Sequence, residues 1–355
     1  MNLDLLDLLA CPACGGDLAV ADAPGGEGAT LEEGRLDCAS CGRHYPVVRG
    51  IPRLLVDPPE GEVALTAESF GRSWGAHPRL DEIDRRQFLD WIHPVTPPFF
   101  DGKTVLELGC GKGRHSRLAA TFGAGRVVSV DLSSAVEVAR QNTRDLPQVD
   151  IVQADIMQLP FKPARFDYAW SVGVLHHLPH PFHGFRSLAR QVRPGGHVSA
   201  WVYGREGNDW IVAVVDPLRK ALRRAPFGLV RALSKVLTWP LYLLVHGLYS
   251  PLNALAPGLA RRLVYADYFL ALADHRFSGV ECIVLDQLIA PTTHYVRRGE
   301  FLDWFARMGL PDVRTSWLHA NPWRGFAKVP ETGLQEAPED RRFRQGRPRP
   351  GEARK

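Results

Sequence analysis

No run of 18 uninterrupted apolar residues occurs in this chain of 355, which argues against a helix spanning a bilayer. Excess charge is small too. Lys and Arg number 43 against 39 Asp and Glu, a net of +4, so composition alone demands no nucleic acid. The opening Met1-Asn-Leu-Asp-Leu-Leu-Asp7 holds acids and no basic segment; no secretory leader is expected, and a cytoplasmic location is. Cysteine is scarce, with six residues, and four of them fall in two Cys-x-x-Cys pairs. That spacing suggests a reducing compartment and a bound metal rather than disulfides. No internal repeat is evident. Apolar side chains are plentiful, 45% of residues, enough for a sizeable core over a length that holds about two domains.

The most informative stretch is Val105-Leu-Glu-Leu-Gly-Cys-Gly-Lys-Gly-Arg-His-Ser116. A β-type run leads into Glu107, Gly109, Gly111 and Gly113, and a helix-like segment follows. Strand, glycine loop and helix N-terminus make a cradle for a nucleotide-like ligand. The third glycine falls one place too early for a dinucleotide fingerprint, and Arg114 stands where it should be. The next strand, Arg126 to Asp131, ends in a carboxylate 20 residues after Gly111, placed to accept from both ribose hydroxyls. A third, Val149 to Ala154, ends at Asp155-Ile156, an acid beside an apolar residue that suits an adenine amino group and ring face. A fourth, Phe166 to Ser171, runs into Val172-Gly-Val-Leu-His-His-Leu178. Leu188 to Arg193 reads as a helix closed by Pro194-Gly-Gly196, and His197 to Tyr203 as a fifth strand.

In this order the set resembles the class I S-adenosylmethionine-dependent methyltransferases, over residues 100–203 and again at 298–329. The resemblance implies an α/β fold, a Rossmann-like seven-stranded, mostly parallel sheet with an antiparallel last strand. It also implies roles. Glu107, Gly109, Gly111 and Gly113 hold the methionine end of the cofactor, Asp131 the ribose, and Asp155 with Ile156 the adenine; Leu132 and Ser171 complete the cofactor set.

Cys11-Pro-Ala-Cys14 and Cys38-Ala-Ser-Cys41 form two knuckles separated by 23 residues, within which Pro24 to Gly28 reads as a loop. Two such knuckles offer four thiolates to one tetrahedral ion, and zinc prefers that set. Full thiolate ligation leaves no open position, so the role is structural. Leu5 to Leu18, the second knuckle and Tyr45 to Leu55 together resemble the zinc-ribbon activator of tRNA and protein methyltransferases. In that family the ribbon pairs with a methyltransferase domain and stabilises it; here it is fused to one.

The expected organisation is a zinc ribbon at 1–56, a linker at 57–66, the cofactor half of the core at 67–203, a helical insertion or substrate cap at 204–297, the end of the core at 298–330, and a disordered tail at 331–355. Glu68 to Ile92 reads as a helix that lids the cofactor, packs on the sheet, or both. From Trp210 to Ala266 the insertion carries eight Lys and Arg and one acid, with leucines at helical spacing. Three readings stand for its 217–249 segment: ordinary helices burying their leucines on the core, an interfacial helix on an anionic membrane, and an RNA contact.

Methyl transfer asks mainly for alignment, and sometimes for removal of a proton. His176 and His294 are the candidate bases, His176 with local packing as its other reading; His177 reads as packing. Asp274-His275-Arg276, Asp286, Tyr295 and Asn321 to Arg324 form a second tier. The acid-or-Asn, Pro-Pro, aromatic signature of exocyclic-amine methyltransferases is missing after strand four, where Ser171-Val-Gly-Val174 stands. The Pro-Cys nucleophile of RNA cytosine-C5 enzymes is missing too. The sequence therefore reads as a methyltransferase acting by direct displacement on a small-molecule or lipid-like acceptor. The alternatives are an rRNA or tRNA methyltransferase and a non-catalytic partner-binding scaffold.

Overall fold

The computed structural model describes residues 1–21, 30–209, 211–318 and 321–336. The expected loop at Pro24 to Gly28 and residues 337–355 of the expected tail lie outside them. After a 3-10 turn at Leu3–Asp7 comes an antiparallel meander of β1 (Leu18–Val20), β2 (Gly34–Cys38), β3 (His44–Val48) and β4 (Ile51–Leu54). Seven more strands follow: β5 (Thr104–Leu108), β6 (Arg126–Asp131), β7 (Val149–Ala154), β8 (Phe166–Val172), β9 (Val192–Tyr203), β10 (Arg314–Trp317) and β11 (Pro322–Lys328). They lie in the order β7-β6-β5-β8-β9-β11-β10. The first five run parallel, and β11 pairs antiparallel with both β9 and β10. The order reverses beside β5, so the carboxyl ends of β5 and β8 diverge there and open a crevice.

The sheet is larger than the seven strands expected. Arg53 and Leu54 of β4 pair in parallel with Gln153 and Ala154 of β7, which joins meander and core into eleven strands. Left alone, β7 would present an open row of backbone donors and acceptors, and β4 caps it. The interior follows the same plan. Leu5 and Leu9, ahead of the meander, and Leu36 and Tyr45 within it share one cluster with Leu106, Val128, Val152 and Phe161. The other face of the sheet buries Phe88, Phe100, Tyr168 and Trp170.

Several boundaries differ from the sequence reading. The expected helix at Glu68 to Ile92 is two helices, Gly61–Ala76 and Ile83–Trp91, because Pro78 disfavours helical backbone at His77. The first begins inside the expected linker. The helix before β9 is Pro181–Ala189, and Val192-Arg193 already belong to the strand. At the expected tail, Glu336 is buried and paired with Arg190.

The insertion is helical: Asp216–Leu222, Phe227–Leu244, Ser250–Leu255, Ala266–Leu272 and Phe277–Ile289 are its main pieces. Phe227–Leu255 runs on as one 29-residue helical stretch, long and apolar enough by length and composition to cross a bilayer. The count of uninterrupted apolar residues missed it because Lys235, Pro240 and His246 punctuate the run.

Candidate active site

The crevice opens into a cavity of about 620 Å³. Its floor is the loop after β5. Gly109 and Cys110 donate their backbone N–H to Val130 O at 2.7 and 3.0 Å, which folds the loop over β6. Gly111 sits at φ +52°, and a Cβ there would lie 2.8 Å from the Trp74 indole nitrogen. The position needs glycine both for its backbone and for the close approach of Trp74.

Gly111 N–H donates to Asp131 Oδ2 at 2.9 Å, and Ser133 donates to Oδ1 through its N–H and its hydroxyl, at 2.8 and 2.7 Å. Burial pushes the Asp131 carboxyl up, and these three donors pull against it. Leu132 follows, its carbonyl accepting from Gln153 Nε2 at 3.0 Å. Arg53 of β4 donates to the other end of that amide at 3.1 Å, so the N-terminal meander braces the turn that carries Asp131. Asp155 accepts from Met157 N–H at 2.8 Å through Oδ1, and among the described residues Oδ2 has no hydrogen-bond donor, which leaves it open to a ligand. Burial raises this carboxyl as well.

Gly109, Gly111, Asp131, Leu132, Asp155 and Ile156 all line the cavity; Glu107, Gly113 and Ser171 do not. Glu107 turns under the loop, where Ser116 Oγ donates to it at 2.5 Å and His115 Nδ1 lies 3.0 Å away. Gly113 backs onto Ala139. Ser171 donates its hydroxyl to Leu108 O at 3.0 Å, tying β8 to the end of β5. These three hold the floor from beneath.

The histidines part company, and for His176 the packing reading is the one that fits. Leu175–His177 is a single 3-10 turn, in which successive side chains point about 120° apart. His176 therefore goes inward. It is fully buried, accepts from Tyr203 N–H at 3.4 Å and does not reach the cavity. Burial holds its pKa well below the ordinary value. His294 is outside the cavity too, its N–H bonded to His176 O at 2.8 Å. His177 is the one that lines it. Its Nδ1 lies 3.0 Å from Thr292 O; a carbonyl only accepts, so the proton sits on Nδ1 and Nε2 keeps its lone pair. Burial brings its pKa down to about 4.

The wall facing the glycine loop comes from the insertion and from the two helices before β5. Asp286 of Phe277–Ile289 lines it and accepts from Ser73 Oγ at 3.4 Å. Burial pushes its carboxyl up to about 6, opposed by Arg114 and His77. Phe70, Trp74, Trp201, Tyr203 and Tyr268 supply aromatic surface around it. The Trp201 indole N–H is buried without a partner among the described residues, a donor left over for whatever fills the cavity. His77 Nε2 lies 2.7 Å from Glu281, Gln87 Nε2 2.9 Å from His275, and Thr292 donates to Glu62 at 2.9 Å. These contacts close the insertion onto Gly61–Ala76 and Ile83–Trp91, which lid the cavity and pack on the sheet at once. Asp286, one of the second-tier candidates, is the lone acid in the apolar stretch Ile283-Val-Leu-Asp-Gln-Leu-Ile289.

The four N-terminal cysteines converge. Cys11 and Cys41 Sγ are 3.7 Å apart, Cys14 and Cys38 3.5 Å, and all four lie within 4.8 Å of one another. Zinc–sulfur bonds of ~2.3 Å place tetrahedral ligands about 3.8 Å apart, so the donor set fits a structural zinc ion. The Gly16 N–H reaches Cys14 Sγ at 3.4 Å, the kind of outer contact that steadies a thiolate ligand.

Known families match both parts. The family described as Trm112p-like protein matches residues 2–50, and that described as methyltransferase domain matches 106–200. A ubiquinone biosynthesis O-methyltransferase of Erwinia tasmaniensis is 30% identical over 173 residues, 47% of this chain and 70% of that protein. The chain belongs to the class I S-adenosylmethionine-dependent methyltransferases. A fatty-acid O-methyltransferase of Mycolicibacterium smegmatis is 31% identical over 188 residues, 51% of this chain and 65% of the relative. A 27-O-demethylrifamycin SV methyltransferase of Amycolatopsis mediterranei is 35% identical over 107 residues, 29% and 39%. This methyltransferase spans between about a third and two thirds of the length of the curated relatives it first matches. Its N-terminal ribbon is of the Trm112p-like type, and the cofactors of the two parts are S-adenosylmethionine and zinc.

Proposed function

We propose that the chain transfers the methyl group of S-adenosylmethionine to a small or lipid-like acceptor held against Asp286. One observation carries this reading. The glycine loop, Asp131 and Asp155 share a cavity with the Asp286 carboxyl and with the aromatic side chains Phe70, Trp74, Trp201, Tyr203 and Tyr268. Asp131 would take the ribose hydroxyls and the free oxygen of Asp155 the adenine amino group. The donor brings an already activated methyl group, so the chain has to align the acceptor and accept its proton. Asp286 is the group suited to that proton, with Ser73 orienting it. Aromatic walls favour an apolar acceptor, and relatives named for ubiquinone biosynthesis, fatty acids and a rifamycin support a small or lipid-like one.

The test is transfer of labelled methyl from S-adenosylmethionine into a fractionated cell extract. Label in the nuclease-resistant organic or low-mass fraction is the expected result. Label in high-mass material that RNase removes would overturn it in favour of RNA.

With the labelled product as readout, Asp286→Asn is expected to slow transfer by about 100-fold or more while leaving the Kd for S-adenosylmethionine unchanged. In the intact protein the rate rises with pH through about 6, or somewhat lower once the positive sulfonium sits nearby. The variant loses that limb. The stability sign is opposite. A carboxyl raised above its ordinary range binds its proton more tightly folded than unfolded, so stability falls as pH rises through that window. Asp286→Asn therefore raises Tm at neutral pH. A variant of full activity, or one with the acid limb intact, removes Asp286 from the role.

A further inference from the structure

The helix that begins at Phe227 is built inside out. Its buried line is Val230, Ser234 and Thr238, four residues apart, and two of the three are polar. Both hydroxyls donate to the helix's own carbonyls, Ser234 to Arg231 O at 2.8 Å and Thr238 to Ser234 O at 2.7 Å. The opposite line carries Leu229, Val236, Trp239 and Leu243, which are 57 to 65% exposed. At 3.6 residues per turn these four fall within about 80° of one another. Leu248 and Leu255 continue the exposed apolar run. Of fifteen large apolar side chains exposed among the described residues, twelve lie between Val214 and Val264. An ordinary surface helix turns such residues inward. A concentration of this kind marks a docking surface.

Charge decides what docks. From Pro217 to Val264 the sequence holds eight Lys and Arg and neither Asp nor Glu. Lys220, Arg223, Arg224, Lys235, Arg261 and Arg262 are exposed. A second copy would bring the same cations face to face, which opposes association. An anionic bilayer offers phosphates to those cations and hydrocarbon to the leucines, and an indole such as Trp239 suits the boundary between them. The inner line is already taken, since Val230 packs with Leu285 and Leu288 of Phe277–Ile289. With one face held by its own protein, the helix lies on a membrane rather than crossing it.

We propose that Phe227–Leu255 seats this protein on anionic phospholipid membranes, its Leu229–Leu243 face inserted at the headgroup boundary. The surface is separate from the cavity and does not rest on the methyl-transfer reading. The test is flotation of the full chain with vesicles of phosphatidylcholine, with and without phosphatidylglycerol. The intact protein is expected to float with the anionic vesicles and to be released in part by salt. The double variant Val236→Ser, Leu243→Ser is expected to lower the bound fraction by about tenfold, with Tm and S-adenosylmethionine affinity unchanged. Absence of flotation with either vesicle overturns the proposal, as does equal flotation with both. A concentration-dependent dimer that the double variant dissociates would assign the face to a second copy instead.

Discussion

Replacing Gly111 by valine is expected to lower the affinity for S-adenosylmethionine by about 100-fold or more, or ~3 kcal/mol. Two effects combine. Valine at φ +52° is strained, because a β-branched side chain disfavours the left-handed region. Its Cβ would also stand 2.8 Å from the Trp74 indole nitrogen, so Trp74 or the loop must move. The loop cannot move freely, since Gly111 N–H is bonded to Asp131; shifting one displaces the other. Gly102 supplies the control. It sits at φ +66° with nothing within 4 Å of a Cβ, so Gly102→Ala introduces left-handed backbone strain, milder than valine's, away from the cavity. Calorimetry should show cofactor binding lost in Gly111→Val and retained in Gly102→Ala. Equal affinities in the two would mean that the glycine loop is not the cofactor cradle.

Removal of zinc is the second large effect. Stripping the metal from the intact protein, or substituting Cys38→Ala, is expected to lower Tm by roughly 10 °C and to weaken cofactor binding as well. The first consequence follows from packing. Met1, Leu9, Leu36 and Tyr45 share a core with Val128 and Val152, so a disordered ribbon uncovers the interior of the sheet. The second follows from position. β4 pairs with β7 at Gln153 and Ala154, immediately before Asp155, and Arg53 holds Gln153 against the Leu132 carbonyl. Thermal unfolding and titration with S-adenosylmethionine, before and after chelation with metal content verified, check both. An unchanged Tm after complete zinc loss would refute a structural role for the four cysteines.

Legibility followed locality. The glycine loop, Asp131 and Asp155 could be read because each sits at a strand end, where a few adjacent residues fix the backbone. The cysteine knuckles could be read because ligand spacing is itself local. The opposite wall could be read only as a set of second-tier candidates, Asp286 among them. Asp286 lies 175 residues beyond Gly111 and enters the cavity only through the packing of helices that carry no fixed motif. Which of His176 and His177 reaches the cavity could not be read for a finer reason. Which of two adjacent rings enters the core depends on the phase of one short turn, and no neighbouring residue encodes that phase. Glu107 stands on the expected strand, yet its direction is set by His115 and Ser116 in the first turn of the next helix. The joining of β4 to β7 escaped because parallel pairing links residues 100 positions apart.

That strand pairing also changes how the ribbon and the catalytic part find each other. When the two are separate molecules, their union depends on the concentration of each. Here a short connection between Leu54 and the helix starting at Gly61 makes it intramolecular, at an effective concentration of order millimolar. Dilution cannot part them, neither can be produced in excess, and no competing partner can take the ribbon by mass action alone.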